Sequence, residues 1–311
     1  MSIKFLKIYL NKINENWVVD RFYKEWHKYN PEISTKSIKK SDIIWVIAPW
    51  MKNISNKMLE EKKAICTIHH IDFEKFDTEN EKDFYLQDKN INAYHTVSEK
   101  TKLDLLKLTD KKIYSIPFWA NQNIFYKLQD KNKVRKNLNL DTSRYLVGSF
   151  QRDTEGYDES SPKLSKGPDR LVEIYNQINK TKPNFSVVLT GYRRGYIIKE
   201  LKKRNIHFYY FPKVNFSKLN MLYNALDFYI VASRVEGGPV SIMETSLTET
   251  PLISTNVGLA QEILHKDAIY KFPYFAEAVP NTEISLKNVK NYIIPMGFQN
   301  FKSMFKEIGA N

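Results

Sequence analysis

Short apolar runs of strand length alternate with segments whose apolar residues recur at helical spacing, and the alternation occurs twice along the 311-residue chain. This pattern constrains the fold more than any single residue. Strands separated by helices cannot pair through tight hairpins. They must lie parallel and buried between helical layers. In the first series, strands are expected over 3–10, 42–48, 63–69, 93–97 and 113–116, with helices over 17–29, 73–86 and 98–108. Ser98 is a suitable cap for the last helix, with Glu99 in its first turn. In the second series, strands are expected over 145–150, 185–190, 206–211, 228–232 and 251–255, with helices over 168–179, 195–204, 217–225 and 240–247. Residues 118–143 between the two series are polar, with a piece rich in lysine and asparagine at 127–139. The expected layout is α/β: a Rossmann-like domain over 1–120, a linker over 121–143, a second Rossmann-like domain over 144–284, and C-terminal helices over 285–311.

Charge and cysteine content narrow the function classes. The chain carries 48 Lys+Arg against 35 Asp+Glu, a net charge of +13. The surplus is spread along the chain, so it suits phosphorylated substrates or an anionic membrane surface, and equally a solvated basic exterior. No zinc-finger or helix-turn-helix signature and no concentrated basic-aromatic patch is found, which argues against nucleic acid as a partner. One cysteine, Cys66, excludes an internal disulfide and fits a reducing compartment. The lysine-interrupted N-terminus lacks a signal-peptide pattern, and apolar runs such as 43–50 are too short to span a bilayer. A cytoplasmic protein is expected, either soluble or peripheral at the inner membrane face.

The most informative stretch is Asp227–Glu262, DFYIVASRVEGGPVSIMETSLTETPLISTNVGLAQE. A buried strand should lead through Glu236-Gly237-Gly238-Pro239 into a helix starting near Val240. Gly237 and Gly238 allow close backbone approach and positive φ, and Pro239 suits a first helical turn. Free N–H groups at the helix start favour an anion, while Glu236 and Glu244 can accept paired hydroxyls. A glycine-broken turn with two solvated glutamates accounts for the same letters.

The run E-G-G-P-V-S-I-M-E, with seven residues between its glutamates, resembles the signature of family 4 glycosyltransferases, and T-P-L-I-S-T-N-V-G is similar to that family's next strand and turn. The resemblance implies a GT-B architecture of two Rossmann-like domains with an interdomain cleft. It also implies a nucleotide-diphosphate sugar as donor, no obligatory metal or other cofactor, and retention of anomeric configuration. It casts Glu236 on the donor sugar, Glu244 on the ribose, and amides near Gly237, Gly238 and Val240 on the diphosphate or sugar. T-I-H-H resembles the family's T-x-H, which casts His69 toward the donor sugar, with His70 in reserve; a hydrogen-bonded loop histidine is the plain alternative. Arg152 and Lys166 resemble the G-x-R … K-G pair that neutralises the leaving diphosphate. The insertion between them suits a lid. Gly191 is expected to line the nucleotide pocket, with 211–214 beside the base. Asn14-Glu15-Asn16-Trp17 stands where the family has a glycine-rich loop, which leaves the acceptor contacts open. The acceptor expected is a hydroxyl of a glycan, polysaccharide or lipid-linked sugar. An inactive nucleotide-sugar-binding partner and a sugar-nucleotide epimerase are the alternatives.

Overall fold

The computed structural model describes residues 6–12, 14–15, 18–156 and 160–310. The expected strand residues 3–5, Asn16 and Trp17 of the N-terminal loop, and 157–159 of the insertion lie outside them. The chain divides into two units: residues 1–119 with 295–311, and residues 120–294.

The first unit is built on a parallel sheet of β1 (Ile8–Leu10), β2 (Ser34–Thr35), β3 (Ile43–Val46), β4 (Lys63–Ile68), β5 (Ala93–Thr96) and β6 (Ile113–Ser115), in the order β2-β1-β3-β4-β5-β6. The two-residue β2 is too short to show any periodicity in sequence. The helix expected over 73–86 is found at Thr78–Asp88, because the Asp77 side chain accepts from the amides of Glu79 and Asn80 and starts it there.

Aromatic rings fill this unit. Trp26 and Trp45 meet edge-on at 5.4 Å, and Phe301 of the C-terminal helix Gln299–Ala310 lies 5.2 Å from Trp45. Beneath the rings runs a closed polar chain. The Trp45 indole N–H donates to Thr67 Oγ1 at 2.8 Å. Thr67 Oγ1 lies 2.9 Å from His95 Nδ1, and His95 Nε2 lies 2.7 Å from the Ile116 carbonyl. A carbonyl only accepts, so His95 carries its proton on Nε2 and Thr67 donates to Nδ1. Every donor is satisfied only while the ring is neutral. Burial pushes the His95 pKa down to about 3, with the Ile116 carbonyl opposing the shift.

The second unit holds β7 (Tyr145–Gly148), β8 (Phe185–Thr190), β9 (Phe208–Phe211), β10 (Phe228–Val231), β11 (Leu252–Thr255) and β12 (Ile269–Tyr270), parallel and ordered β12-β11-β10-β7-β8-β9. β8 is buried at every position, as a central strand covered on both faces requires. The stretch 121–143, expected as a linker, is folded into this unit. Phe125, Val134, Leu138 and Leu140 enter its core. Arg135, 4% exposed, donates to the carbonyls of Ala225, Thr142 and Arg144 and pairs with Asp227 at 2.6 Å. Lysines on the solvent side of the short helix Lys131–Asn137 hid its few apolar anchors. Of the C-terminal residues, 285–294 stay with this unit and 295–311 join the first.

The His95 chain carries a pH signature. Its folded pKa is depressed, so its stabilisation is whole above the unfolded value of about 6.5 and is lost as pH falls below that toward 3, at roughly 1.4 kcal/mol per pH unit. Acidification from pH 7 to pH 5 is expected to cost about 2 kcal/mol through this group. His95→Gln, less stable at pH 7, should show a correspondingly flatter dependence in chemical denaturation. Equal slopes for the two proteins would contradict the assignment.

Candidate functional site

In the second unit the chain runs from β7 outward to β8 and β9, then returns to β10 on the other side of β7. The carboxyl ends of β7 and β10 therefore flank a topological switch point, where open α/β sheets leave a crevice for ligands. The loops that leave these two strands carry most of the candidate residues.

Two glycines fix the loops. Gly167 (φ 64°) joins the short turn Leu164–Lys166 to the helix Pro168–Thr181, and a β-carbon on it would lie 2.0 Å from the Ala232 carbonyl oxygen. Gly258 (φ 47°) comes so close to the Glu236-Gly237 turn that a β-carbon would lie 2.2 Å from the Gly237 oxygen. The left-handed glycines among the described residues are Gly156, Gly167, Gly191 and Gly258. Gly237 and Gly238 thus do not take the positive φ expected of them. The turn gains its close approach from the partner glycine, Gly258.

This packing sets Lys166 against Glu236. Their charges meet at 2.6 Å, with side chains 17% and 12% exposed. Ser233, fully buried at the end of β10, places Oγ 3.3 Å from the same Glu236 Oε1 and 3.2 Å from Gln151 Oε1. Gln151 donates in turn to the Lys166 carbonyl. The amides of Arg234 and Val235 both donate to the Ser165 carbonyl, and Arg234 grips Asp169 with two bonds of 2.8 and 2.6 Å. Lys166 and Glu236 are therefore held by backbone on both sides.

Arg152 does not join them. Its Nε donates to the Thr154 carbonyl at 2.6 Å, and its pKa is lowered by burial and then by the like charge of Arg193. Beneath it, Asp153 and Arg194 form a pair at 3.0 Å that is almost wholly inaccessible, and Arg194 also donates to the Gln151 carbonyl. Burial pushes Asp153 up to about 6 although Arg194 pulls it down. This pair ties the loop after β7 to the start of the helix Gly195–Lys203.

Helix Val240–Leu247 begins after Pro239 without a side-chain cap. Glu244, one turn in, is 5% exposed, and its Oε2 accepts from the Tyr223 hydroxyl at 2.8 Å. Gly191 (φ 88°) ends β8 with open space where a β-carbon would stand. Its carbonyl accepts from the Tyr210 hydroxyl at 3.0 Å. His69 belongs to the other unit. Its Nε2 lies 2.8 Å from the Ile47 carbonyl and must be the protonated nitrogen. Sequence reasoning passed over Ser233, Gln151, Tyr223, Gly258 and the Asp153–Arg194 pair. Gly258 closes the T-P-L-I-S-T-N-V-G run, and the Arg193-Arg194-Gly195 cluster follows L-T-G; the others carry no local signal in sequence.

Among the described residues no cluster of three or more His, Cys, Asp or Glu is placed to hold a metal ion, and no helix is long and apolar enough to cross a membrane. The glycine clamp has a measurable cost. Gly167→Ala meets a backbone oxygen and an αL penalty together, and should destabilise by more than about 3 kcal/mol. Gly156→Ala, at φ 58° with nothing within 4 Å, should cost only about 1–2 kcal/mol. Denaturant midpoints that move equally for both variants would refute the clamp.

Residues 161–276 match the family described as glycosyl transferases group 1. The lipopolysaccharide core biosynthesis mannosyltransferase LpsB of Rhizobium meliloti (strain 1021) is 25% identical over 142 residues, covering 43% of this chain and 38% of that relative. The chain thus spans well under half the length of this relative. Among solved structures, HepE of Anabaena, in complex with UDP and glucose, superposes with a TM-score of 0.71 at 12% identity, over 96% of this chain and 99% of that one. Sucrose-phosphate synthase from Thermosynechococcus elongatus does so with a TM-score of 0.65 at 15% identity, over 93% of this chain and 75% of that one. These likenesses establish the fold. The chain has the two-unit α/β GT-B fold, and its residues 161–276 are similar to the group 1 glycosyl transferases.

Proposed function

We propose that the protein is a glycosyltransferase that moves a sugar from a nucleotide-diphosphate donor to a hydroxyl acceptor. The observation that carries this reading is the Lys166–Glu236 pair at 2.6 Å on the switch point of the second sheet, beside an uncapped helix start. A diphosphate arriving at the amides around Gly238 and Val240 competes with Glu236 for Lys166. The exchange leaves the Glu236 carboxylate to accept hydroxyls of the donor sugar. Lys166 and the helix start then stabilise the charge that grows on the departing diphosphate. Arg152 adds to this field when it turns from Thr154 toward the ligand. Glu244, whose Oε2 accepts from Tyr223, takes the ribose hydroxyls, and Gly191 leaves room for the nucleoside.

Retention of configuration and membership of family 4 rest on the E-x7-E and R…K-G pattern. The match to a mannosyltransferase and the likeness to a UDP-binding neighbour support a nucleotide-sugar donor and a glycan or lipid-linked acceptor. The spread positive charge supports work in the cytoplasm at an anionic membrane surface.

The test is nucleotide diphosphate release from UDP-, GDP- and ADP-sugars by the wild type and site variants. Glu236→Gln and Lys166→Ala are each expected to lower turnover by about 100-fold or more while remaining folded. Full activity in both would remove the assignment. Tyr223→Phe frees the Glu244 carboxylate from one charge-assisted bond, worth about 1.5–3 kcal/mol. It should raise the donor KM by roughly tenfold or more with kcat little changed. A loss confined to kcat would show that Glu244 does not hold the ground-state donor.

A further inference from the structure

Ser233 is wholly buried just past β10, and its hydroxyl faces three acceptors at once. Its Oγ lies 3.2 Å from Gln151 Oε1, 3.3 Å from Glu236 Oε1 and 3.4 Å from the Lys166 carbonyl oxygen. A hydroxyl carries one proton, so it can satisfy only one of them. All three separations are long for an O–H···O bond, and none of them locks the rotor.

The heavy atoms around this rotor are fixed. The Thr255 hydroxyl donates to the Ser233 carbonyl at 2.7 Å and ties the residue to β11. The Gln151 carbonyl accepts from Arg194, which is paired in turn with buried Asp153 at 3.0 Å. The Gln151 side-chain N–H donates to the Lys166 carbonyl. Its Nε2 must face that carbonyl, so its Oε1 must face Ser233.

Which acceptor holds the proton is decided by Lys166. The ammonium stands 2.6 Å from Glu236 Oε1, the same oxygen that faces Ser233. While it stays there the carboxylate is compensated, and the hydroxyl can satisfy the Gln151 oxygen. Once the ammonium leaves, a carboxylate only 12% exposed becomes the strongest acceptor within reach. A charge-assisted bond is roughly twice as strong as a neutral one. A turn of the O–H bond moves the proton from one acceptor to the other with every heavy atom in place.

We propose that Ser233 is a positioning residue that takes over Glu236 from Lys166. Its hydroxyl donates to Gln151 in the resting protein and turns to Glu236 Oε1 when a diphosphate draws Lys166 away. The proposal rests on the transferase reading of the Lys166–Glu236 pair. The new bond offsets part of the cost of a buried charge without its cation. It also keeps the carboxylate oriented for the hydroxyls of the donor sugar.

Titration calorimetry with UDP, GDP and ADP tests the exchange. Ser233→Ala should weaken binding of the preferred diphosphate about tenfold. Ser233→Cys, whose thiol is a weak donor, should fall between the two. Glu236→Gln removes the charge that Ser233 answers to, and in that background Ser233→Ala should cost about twofold or less. Melting curves establish that the variants are folded. Unchanged affinity in Ser233→Ala, or the same loss with and without Glu236, overturns the proposal and leaves the transferase reading intact. A wild type that binds none of the three diphosphates removes both. A wild type that shows the predicted coupling, yet releases no diphosphate from any nucleotide sugar, would refute the transferase reading and leave the exchange standing.

Discussion

The contact of Gly167 with the Ala232 carbonyl is backbone against backbone, and the candidate site depends on it. A β-carbon at 2.0 Å from that oxygen cannot be accommodated by a rotamer change. The approach brings the turn Leu164–Lys166 onto the end of β10, where Arg234 and Val235 share the Ser165 carbonyl. Gly258 does the same for the Glu236-Gly237 turn from the side of β11. Between these two glycines a lysine and a glutamate from distant parts of the sequence have little freedom to be anywhere except against each other.

Much of this arrangement is legible in sequence where the signal is local. The strand Phe185–Thr190 and the helix Val240–Leu247 carry their bounds in apolar period and flanking turn residues. The spacing of Glu236 and Glu244, and of Arg152 and Lys166, locates two loops that the fold brings to one switch point. What stays hidden depends on partners far along the chain. Nothing in a lysine-rich segment shows that Arg135 will be buried against Ala225 and Asp227, so 121–143 reads as linker although Phe125, Val134, Leu138 and Leu140 enter the core. Nothing around Gly237 shows that the positive φ belongs to Gly258 instead. Tyr223 reads as one more apolar helix residue until its hydroxyl is seen on Glu244.

The two units differ in how far kinship illuminates them. The family match over 161–276 contains Lys166, Gly191, Glu236 and Glu244 and stops short of Arg152 and of the entire first unit. The core of the first unit is a set of stacked rings around a histidine that must stay neutral, and half-buried His69 and exposed Trp50 lie beyond the ends of β4 and β3.

The Lys166–Glu236 pair also acts as a filter. Both side chains are mostly buried, and separating such a pair without replacing both partners leaves a stranded charge, at a cost of about 3–5 kcal/mol. An inorganic anion that captures Lys166 alone strands the carboxylate. A free sugar that binds Glu236 alone does nothing for the ammonium. Only a molecule that presents an anion and hydroxyls at a fixed separation compensates both at once. Under the proposed function, the same two residues that receive the composite donor therefore discriminate against free phosphate and free sugars.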